Sequence, residues 1–127
     1  MNIFGIGTDI ISVERIKNSL KNKNFIKRIF NEKEISKCKK INNKINCFAK
    51  RYAAKEAFSK ALGTGISNGI NFNEIIILNK KSGKPYINVT GQTKKVLSKK
   101  FKGKKSKISL SLSDEKKYAV AFVTISS

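Results

Sequence analysis

The stretch INCFAKRYAAKEAFSKAL, residues 45–62, predicts a long helix, because it is rich in alanine and free of Gly and Pro. At about 100° per residue, five of its side chains fall on one mainly apolar arc: Ile45, Ala49, Tyr52, Glu56 and Lys60. Arg51, Lys55 and Ser59 are expected to point the opposite way. Glu56, the only carboxylate of this helix, is therefore predicted on the apolar face, where a charge needs a cation or hydrogen bonds to compensate it.

Two interpretations of Glu56 remain open from the helix alone. The structural one is an internal ion pair with Lys60, which follows at the i+4 spacing that favours such pairs. The functional one is a ligand or catalytic group that must be held away from bulk water.

A second carboxylate, Asp9, follows a short glycine-containing segment at the start of the chain, GIG at residues 5–7. Residues 2–11 are predicted as a strand with Asp9 at its end, so Gly5, Gly7 and Asp9 share one face. Glycines within a strand often mark the close approach of a ligand or another backbone. Asp9 either caps the next helix or forms a pair with Glu56, the minimal protein contribution to a Mg²⁺ site that also uses substrate phosphates.

Length and charge limit the choice of partner. The 127 residues predict one domain, 1–127, that is small enough to profit from oligomerisation. The formal net charge of +20 favours an acidic partner. Only Arg15, Arg28 and Arg51 are arginines, which argues against base-specific nucleic-acid recognition. An acidic protein fits the charge as well as nucleic acid does.

The residue types exclude several classes of site. The chain has no histidine, which excludes histidine-based triads and the usual zinc sites. Cys38 and Cys47 are expected to be free thiols in a reducing compartment, although a disulfide between them remains open. No leader or membrane-spanning run is visible, so we expect a cytoplasmic protein that does not enter a membrane.

Along the chain, the pattern predicts an α+β fold with helices early and antiparallel hairpins late. The predicted helices are 13–20, 25–30, 32–40, 45–62 and 93–99, with Ser12, Asn31 and Gly63 as caps. The predicted strands after residue 70 are 75–78, 85–89, 108–113 and 118–125.

Four segments, in this order, carry a resemblance to a known family: GIGTDI at 5–10, RYAAKEAFSKALGTG at 51–65, GKPY at 83–86, and SLS at 111–113 with YAVA at 118–121. Together they resemble the holo-acyl-carrier-protein synthases, the small 4′-phosphopantetheinyl transferases of fatty-acid synthesis. The resemblance spans essentially the whole chain, and its second segment is long and specific.

The resemblance implies a long helix packed on an antiparallel sheet, with subunits assembled as a homotrimer whose active sites lie between neighbours. It implies Mg²⁺-dependent transfer of the phosphopantetheine arm of coenzyme A to a serine of apo-acyl carrier protein. The products would be holo-acyl carrier protein and adenosine 3′,5′-bisphosphate. The acidic carrier protein would account for the positive charge.

The family's functional positions map onto this sequence residue by residue. The metal ligands would be Asp9 and Glu56, and Lys60 would contact the pyrophosphate during catalysis. Whether a metal-bound water or Glu56 removes the serine proton stays open. Further coenzyme A contacts are implied for Arg51, Lys60, Gly63, Gly65, Lys84 and Pro85. Carrier-protein contacts are implied for Arg15, with Lys17, Lys21 and Arg28 as neighbours.

One position departs from the family pattern. Asp114 follows the SLS strand where many members carry a histidine, and an acid cannot donate to a phosphate as an imidazolium does. Lys116 is the neighbouring cation that can replace this contact. Two alternatives compete with the enzyme: a basic RNA- or ribosome-associated protein, and a catalytically inactive family member that only binds. The first does not explain two acids in apolar settings, and the second does not explain why Asp9, Glu56 and Lys60 are all present.

Overall fold

The computed structural model describes residues 2–63 and 69–127. Its helices are α1 (Val13–Ser19), α2 (Lys23–Ile29), α3 (Glu32–Lys39), α4 (Lys44–Leu62) and α5 (Gly91–Lys100), with a 3₁₀ turn at Phe72–Glu74. Its strands are β1 (Ile3–Ser12), β2 (Ile75–Asn79), β3 (Pro85–Val89), β4 (Lys107–Asp114) and β5 (Tyr118–Ser126). None of the described helices is long and apolar enough to cross a membrane.

The strands form two antiparallel sheets. One has the order β1-β5-β4, and β2 pairs with β3 in a separate hairpin. The long helix α4 packs across β1 and β5 on one side and against α3 and β2 on the other. The predicted α+β class, with a long helix on an antiparallel sheet, is confirmed.

The glycines of β1 allow the strand to touch α4 directly. A Cβ on Gly5 would overlap the carbonyl oxygen of Ala61, and one on Gly7 would overlap that of Ala57. The predicted close approach is confirmed, and the approaching group is helix backbone. Because β1 lies this close to α4, Asp9, two residues beyond Gly7, is held beside the same helix.

The caps follow the local sequence signals. Ser12 caps α1 by accepting a hydrogen bond from the backbone N–H of Arg15 at 3.3 Å. Asn31 and Glu34 form a capping box at α3, and Gly63 ends α4 with φ of 80°. The interpretation of Asp9 as a helix cap is therefore wrong: Asp9 lies inside β1, which continues to Ser12.

The predicted division of α4 into an apolar and a solvent face is wrong. Arg51, Lys55 and Ser59, expected to point away from the apolar arc, are only 4%, 0% and 3% exposed. Glu56 is half-buried and Lys60 is exposed. The helix is covered by the sheet on one side and by α3 and β2 on the other, so a two-face description does not apply.

Lys55 is the centre of a buried polar cluster. Its ammonium group donates to Glu34 Oε1 at 2.7 Å, to the carbonyl oxygen of Phe72 at 2.8 Å, and to that of Ile75. Glu34 also accepts from the backbone N–H groups of Asn31 and Ile77. Burial lowers the pKa of Lys55 to about 8, although the charge of Glu34 opposes this shift. The cluster joins α3, α4 and the start of β2.

The expectation of free thiols is also wrong. Cys38 of α3 and Cys47 of α4 form a disulfide, with their Cα atoms 5.5 Å apart. The packing of α3 against the first turns of α4 brings the two sulfur atoms together, which the sequence separation of nine residues does not reveal.

Candidate active site

Asp9 presents one paired and one unpaired oxygen beside α4. Its Oδ1 accepts a hydrogen bond from Lys60 Nζ at 3.2 Å, and its side chain is 14% exposed. Its Oδ2 is buried and has no hydrogen-bond partner among residues 2–63 and 69–127. Burial raises the pKa of Asp9, and the bond and charge of Lys60, with the charge of Arg15, oppose that shift. A buried oxygen of this kind needs a cationic or hydrogen-bonding ligand to offset its lost hydration.

Glu56 lies in the same neighbourhood and is oriented by a tyrosine one helical turn earlier. The Tyr52 hydroxyl donates to Glu56 Oε1 at 3.2 Å. Burial raises the pKa of Tyr52, the charge of Glu56 raises it further, and Asp9 adds a smaller effect in the same direction. The carboxylate of Asp9 in β1 and that of Glu56 in α4 thus both raise the pKa of Tyr52.

Lys60 connects the strand to the helix. Its ammonium group donates to Asp9 Oδ1 and, at 2.9 Å, to the carbonyl oxygen of Thr8. The predicted ion pair between Lys60 and Glu56 is therefore wrong, since the cation pairs across elements with Asp9. The Lys60 side chain is 55% exposed, so its ion pair with Asp9 contributes little to stability.

The donor set fits a hard divalent cation. Asp9 and Glu56 supply carboxylate oxygens, which Mg²⁺ prefers, and Asp9 Oδ2 needs such a partner. Within the described ranges no group of three Asp, Glu, His or Cys side chains converges to hold a metal. A Mg²⁺ ion held here would therefore complete its coordination with water and substrate oxygens, as its usual protein sites do.

Arg51 marks a second region, at the start of α4. Its Nη1 donates to the carbonyl oxygen and the Sγ of Cys47 at 3.3 and 3.2 Å, and its Nη2 donates to Asn79 Oδ1 at 2.9 Å. Its Nε is buried and lacks a partner in the part of the chain that the structure describes. Burial lowers the pKa of the guanidinium. Asn79 pairs with Pro85 across the hairpin, and the exposed Lys84 comes directly before Pro85. Because Asn79 binds Arg51, this end of the hairpin lies next to Arg51.

A small cavity of about 160 Å³ opens beside this arginine. Its lining includes Arg51, Lys50 and Cys47 from α4, Lys37 from α3, and Asn43 from the loop between them. Three cations and one carboxylate, that of Asp114, line this cavity, and the excess of positive charge favours an anionic group of phosphate size.

Asp114 lies at the rim of the same cavity in a different role from the histidine of the family pattern. Its Oδ2 accepts from Asn46 Nδ2 at 2.8 Å, and its Oδ1 lies 3.6 Å from Lys50 Nζ. Asn46 also donates to the carbonyl oxygen of Glu115. Asp114 therefore ties the β4–β5 turn to α4, while Lys116 is exposed.

Of the predicted carrier-binding residues, Arg15 is close enough for its charge to act on Asp9. Arg15, Lys17 and Lys21 are exposed on or just beyond α1. Arg28 lines a separate cleft of about 650 Å³ that Tyr52 also borders. Of the two predicted glycines, Gly63 is the C-cap of α4, and Gly65 lies outside the described residues.

The sequence interpretation missed Tyr52 and Asn79 as partners of the site residues. The i+4 spacing from Tyr52 to Glu56 was a usable signal for their hydrogen bond. Asn79 is 28 residues from Arg51, and no local pattern relates them.

Comparisons with known proteins agree on one family. The model of the 4′-phosphopantetheinyl transferase superfamily matches residues 5–123. A holo-acyl-carrier-protein synthase of Pelagibacter ubique is 53% identical over 125 residues, which is 98% of this chain and 98% of that protein. The crystal structure of the Neisseria meningitidis synthase superposes with a TM-score of 0.88 at 38% identity, covering 99% and 100% of the two chains. The crystal structure of the Helicobacter pylori synthase in complex with coenzyme A superposes with a TM-score of 0.80 at 31% identity. The match covers 95% of this chain and 99% of that chain.

Proposed function

The chain belongs to the 4′-phosphopantetheinyl transferase superfamily, and we propose that Asp9, Glu56 and Lys60 perform in it the reaction of a holo-acyl-carrier-protein synthase. The enzyme transfers the phosphopantetheine of coenzyme A to an acyl carrier protein. The observation that carries the residue assignment is that Asp9, with its unpartnered buried oxygen, pairs with Lys60 of α4, and that Asp9 and Glu56 both raise the pKa of Tyr52.

The reaction exchanges one phosphorus–oxygen bond for another. The serine oxygen of the carrier forms a bond to the phosphorus that bears pantetheine, and the pyrophosphate bond of coenzyme A breaks. The serine proton is lost, and adenosine 3′,5′-bisphosphate leaves. Such transfers need positioning and charge neutralisation more than covalent help from the protein.

Each side chain has a role that follows from its contacts. Lys60 leaves Asp9 and pairs with the pyrophosphate, which stabilises the negative charge of the departing bisphosphate. Glu56, oriented by Tyr52, and Asp9 would hold the metal, and either Glu56 or a water molecule takes the serine proton. When bound, Mg²⁺ supplies charge neutralisation to the pyrophosphate oxygens.

The cavity at Arg51 is the proposed site for the nucleotide end of coenzyme A. Arg51, Lys37 and Lys50 provide positive charge there, and the hairpin reaches the cavity through Asn79, whose partner across the hairpin is Pro85, the residue after Lys84. The Gly63 turn, which continues from the helix that carries Lys60, lets backbone approach the diphosphate.

A mass assay tests the function directly. Purified protein incubated with apo-acyl carrier protein, coenzyme A and Mg²⁺ should increase the carrier mass by one phosphopantetheine group. A chelator should stop the reaction, and added Mg²⁺ should restore it. No mass gain with any divalent metal would contradict the enzyme assignment.

The exposed basic residues of α1 and α2 are the proposed docking surface for the acidic carrier protein. Arg15 is close enough for its charge to act on Asp9, Arg28 lines a cleft together with Tyr52, and Lys17 and Lys21 are exposed on or just beyond the helix that carries Arg15. Charges at such a surface chiefly raise the association rate and fix the orientation of the partner.

Arg15→Glu is expected to weaken carrier binding on the order of 100-fold at low ionic strength, because juxtaposed like charges cost several kcal/mol. The loss should shrink at high salt, where exposed charges are screened. Carrier and coenzyme A affinities are measured separately by calorimetry, with Lys33→Glu on the exposed side of α3 as the matched control. Equal losses for both ligands would place Arg15 in the nucleotide site or the fold instead.

The outer face of the three-stranded sheet is the proposed contact between subunits of a homotrimer. Ile6, Ile10 and Phe122 are 60%, 63% and 45% exposed there, with Tyr118 and Val120 beside them. An apolar group of this extent on a small domain favours burial against another copy. Sedimentation equilibrium should give three times the chain mass, and a fully active monomer would contradict the assembly.

A further inference from the structure

We propose that the Cys38–Cys47 disulfide is a redox device that sets the affinity of the cavity at Arg51 for a nucleotide bisphosphate. This inference rests on the proposed nucleotide site and adds a control to it. In the oxidised protein the cavity is preorganised, and in the reduced protein one of its walls is released.

The first observation is that the disulfide joins the two elements that supply the cations of the cavity. Lys37 precedes Cys38 in α3, and Lys50 and Arg51 follow Cys47 in α4. Asn43, in the loop closed by the disulfide, also lines the cavity. The bond therefore fixes the distance between the two charged walls.

The second observation is a direct contact between the disulfide and the buried arginine. Arg51 Nη1 donates to both the Sγ and the carbonyl oxygen of Cys47. Its opposite end is fixed by Asn79 of the hairpin. The guanidinium of the cavity therefore contacts the disulfide itself as well as the amide of the hairpin.

The third observation confines the effect of reduction to this region. Glu34 and Lys55 hold the first turn of α3 to α4 independently of the disulfide. We therefore expect reduction to leave the start of α3 docked on α4. The last turn of α3, which carries Lys37, and the loop that follows it are then released. A site that must order such a segment binds more weakly than a preorganised one.

The chemical step is a two-electron exchange with a dithiol. The dithiol is oxidised to its disulfide, the Cys38–Cys47 sulfur–sulfur bond breaks, and each cysteine gains one electron and one proton as a thiol. Cys38 and Cys47 are 0% and 4% exposed, so the exchange requires local opening and is expected to be slow.

The test uses adenosine 3′,5′-bisphosphate as the probe, because coenzyme A carries a thiol that would itself exchange with the disulfide. Calorimetry on the oxidised protein and on the protein reduced with dithiothreitol, with thiols counted in each, is expected to show about tenfold weaker binding after reduction. Equal affinities in two folded states would overturn the inference, even if reduction lowered the melting temperature.

Cys38→Val is the matched variant, since it removes the disulfide, keeps an apolar side chain in the core and leaves Cys47 beside Arg51. It should bind the probe as the reduced protein does, and dithiothreitol should change nothing further. A loss of affinity on adding dithiothreitol to this variant would overturn the assignment to the disulfide.

Linkage gives a test that does not depend on any variant. If oxidation tightens binding by a given factor, saturating adenosine 3′,5′-bisphosphate must shift the disulfide equilibrium toward oxidation by the same factor. The oxidised fraction is measured in dithiothreitol redox buffers with and without the probe. If the probe leaves this fraction unchanged, the proposal is overturned.

The failure of this inference and the failure of the proposed function can be told apart. A protein that transfers phosphopantetheine but does not bind the probe would overturn this inference alone. A protein that neither transfers nor binds would overturn the proposed function too.

Discussion

Asp9→Ala is expected to reduce phosphopantetheine transfer by about 10³-fold or more, because metal charge stabilisation contributes several kcal/mol to such a reaction. Glu56→Ala is expected to do the same. The site has two protein carboxylates, so the loss of either leaves a single ligand. Mg²⁺ binding, measured by calorimetry, should weaken in both variants in parallel with turnover.

The same variants separate a metal ligand from a structural acid. Glu56→Ala should keep the free energy of unfolding of the wild type or raise it, since it removes a poorly solvated charge. Glu32→Ala, an exposed acid at the start of α3, serves as the matched control and should leave both Mg²⁺ binding and transfer unchanged. If Glu56→Ala lost stability but kept its activity per folded molecule, the assignment of Glu56 to the metal would be wrong.

Lys55→Met is expected to lower the free energy of unfolding by about 3–5 kcal/mol, the usual cost of removing one partner from a buried ion pair. The substitution leaves Glu34 charged and unpaired inside the protein. It also removes the donor to the carbonyl groups of Phe72 and Ile75. Urea unfolding followed by circular dichroism measures the change.

Lys60→Met, on the same helix, is the matched control for Lys55→Met. The Lys60 side chain is 55% exposed, so removing its ammonium group should change stability by about 1 kcal/mol or less. We expect the two variants to give opposite results: Lys60→Met stays stable and loses transfer, and Lys55→Met loses stability. A stable Lys55→Met protein would show that the buried cluster does not hold α3 and α4 together.

The sequence alone determined the parts of this protein whose causes are local. The Asn31 capping box, the Gly63 cap, the hairpin turn before Pro85 and the period-two strands follow from bonds and side-chain spacing within a few residues. The glycines of β1 correctly predicted a close backbone contact, because only a residue without a Cβ permits it. The family resemblance placed Asp9 and Glu56 in one site before any geometry was known.

The tertiary structure alone decided which side of α4 is buried and which charges meet. A helical wheel assumes one core, whereas α4 has the sheet on one side and α3 with β2 on the other, so Lys55 is buried and Lys60 is exposed. Lys60 pairs with Asp9 instead of Glu56, and Cys38 forms a disulfide with Cys47. Both pairings arise because the packing of the elements, and not the spacing along the chain, sets the distances between them. Long-range contacts of this kind have no periodic signature in a single sequence, since each depends on how two separate elements dock.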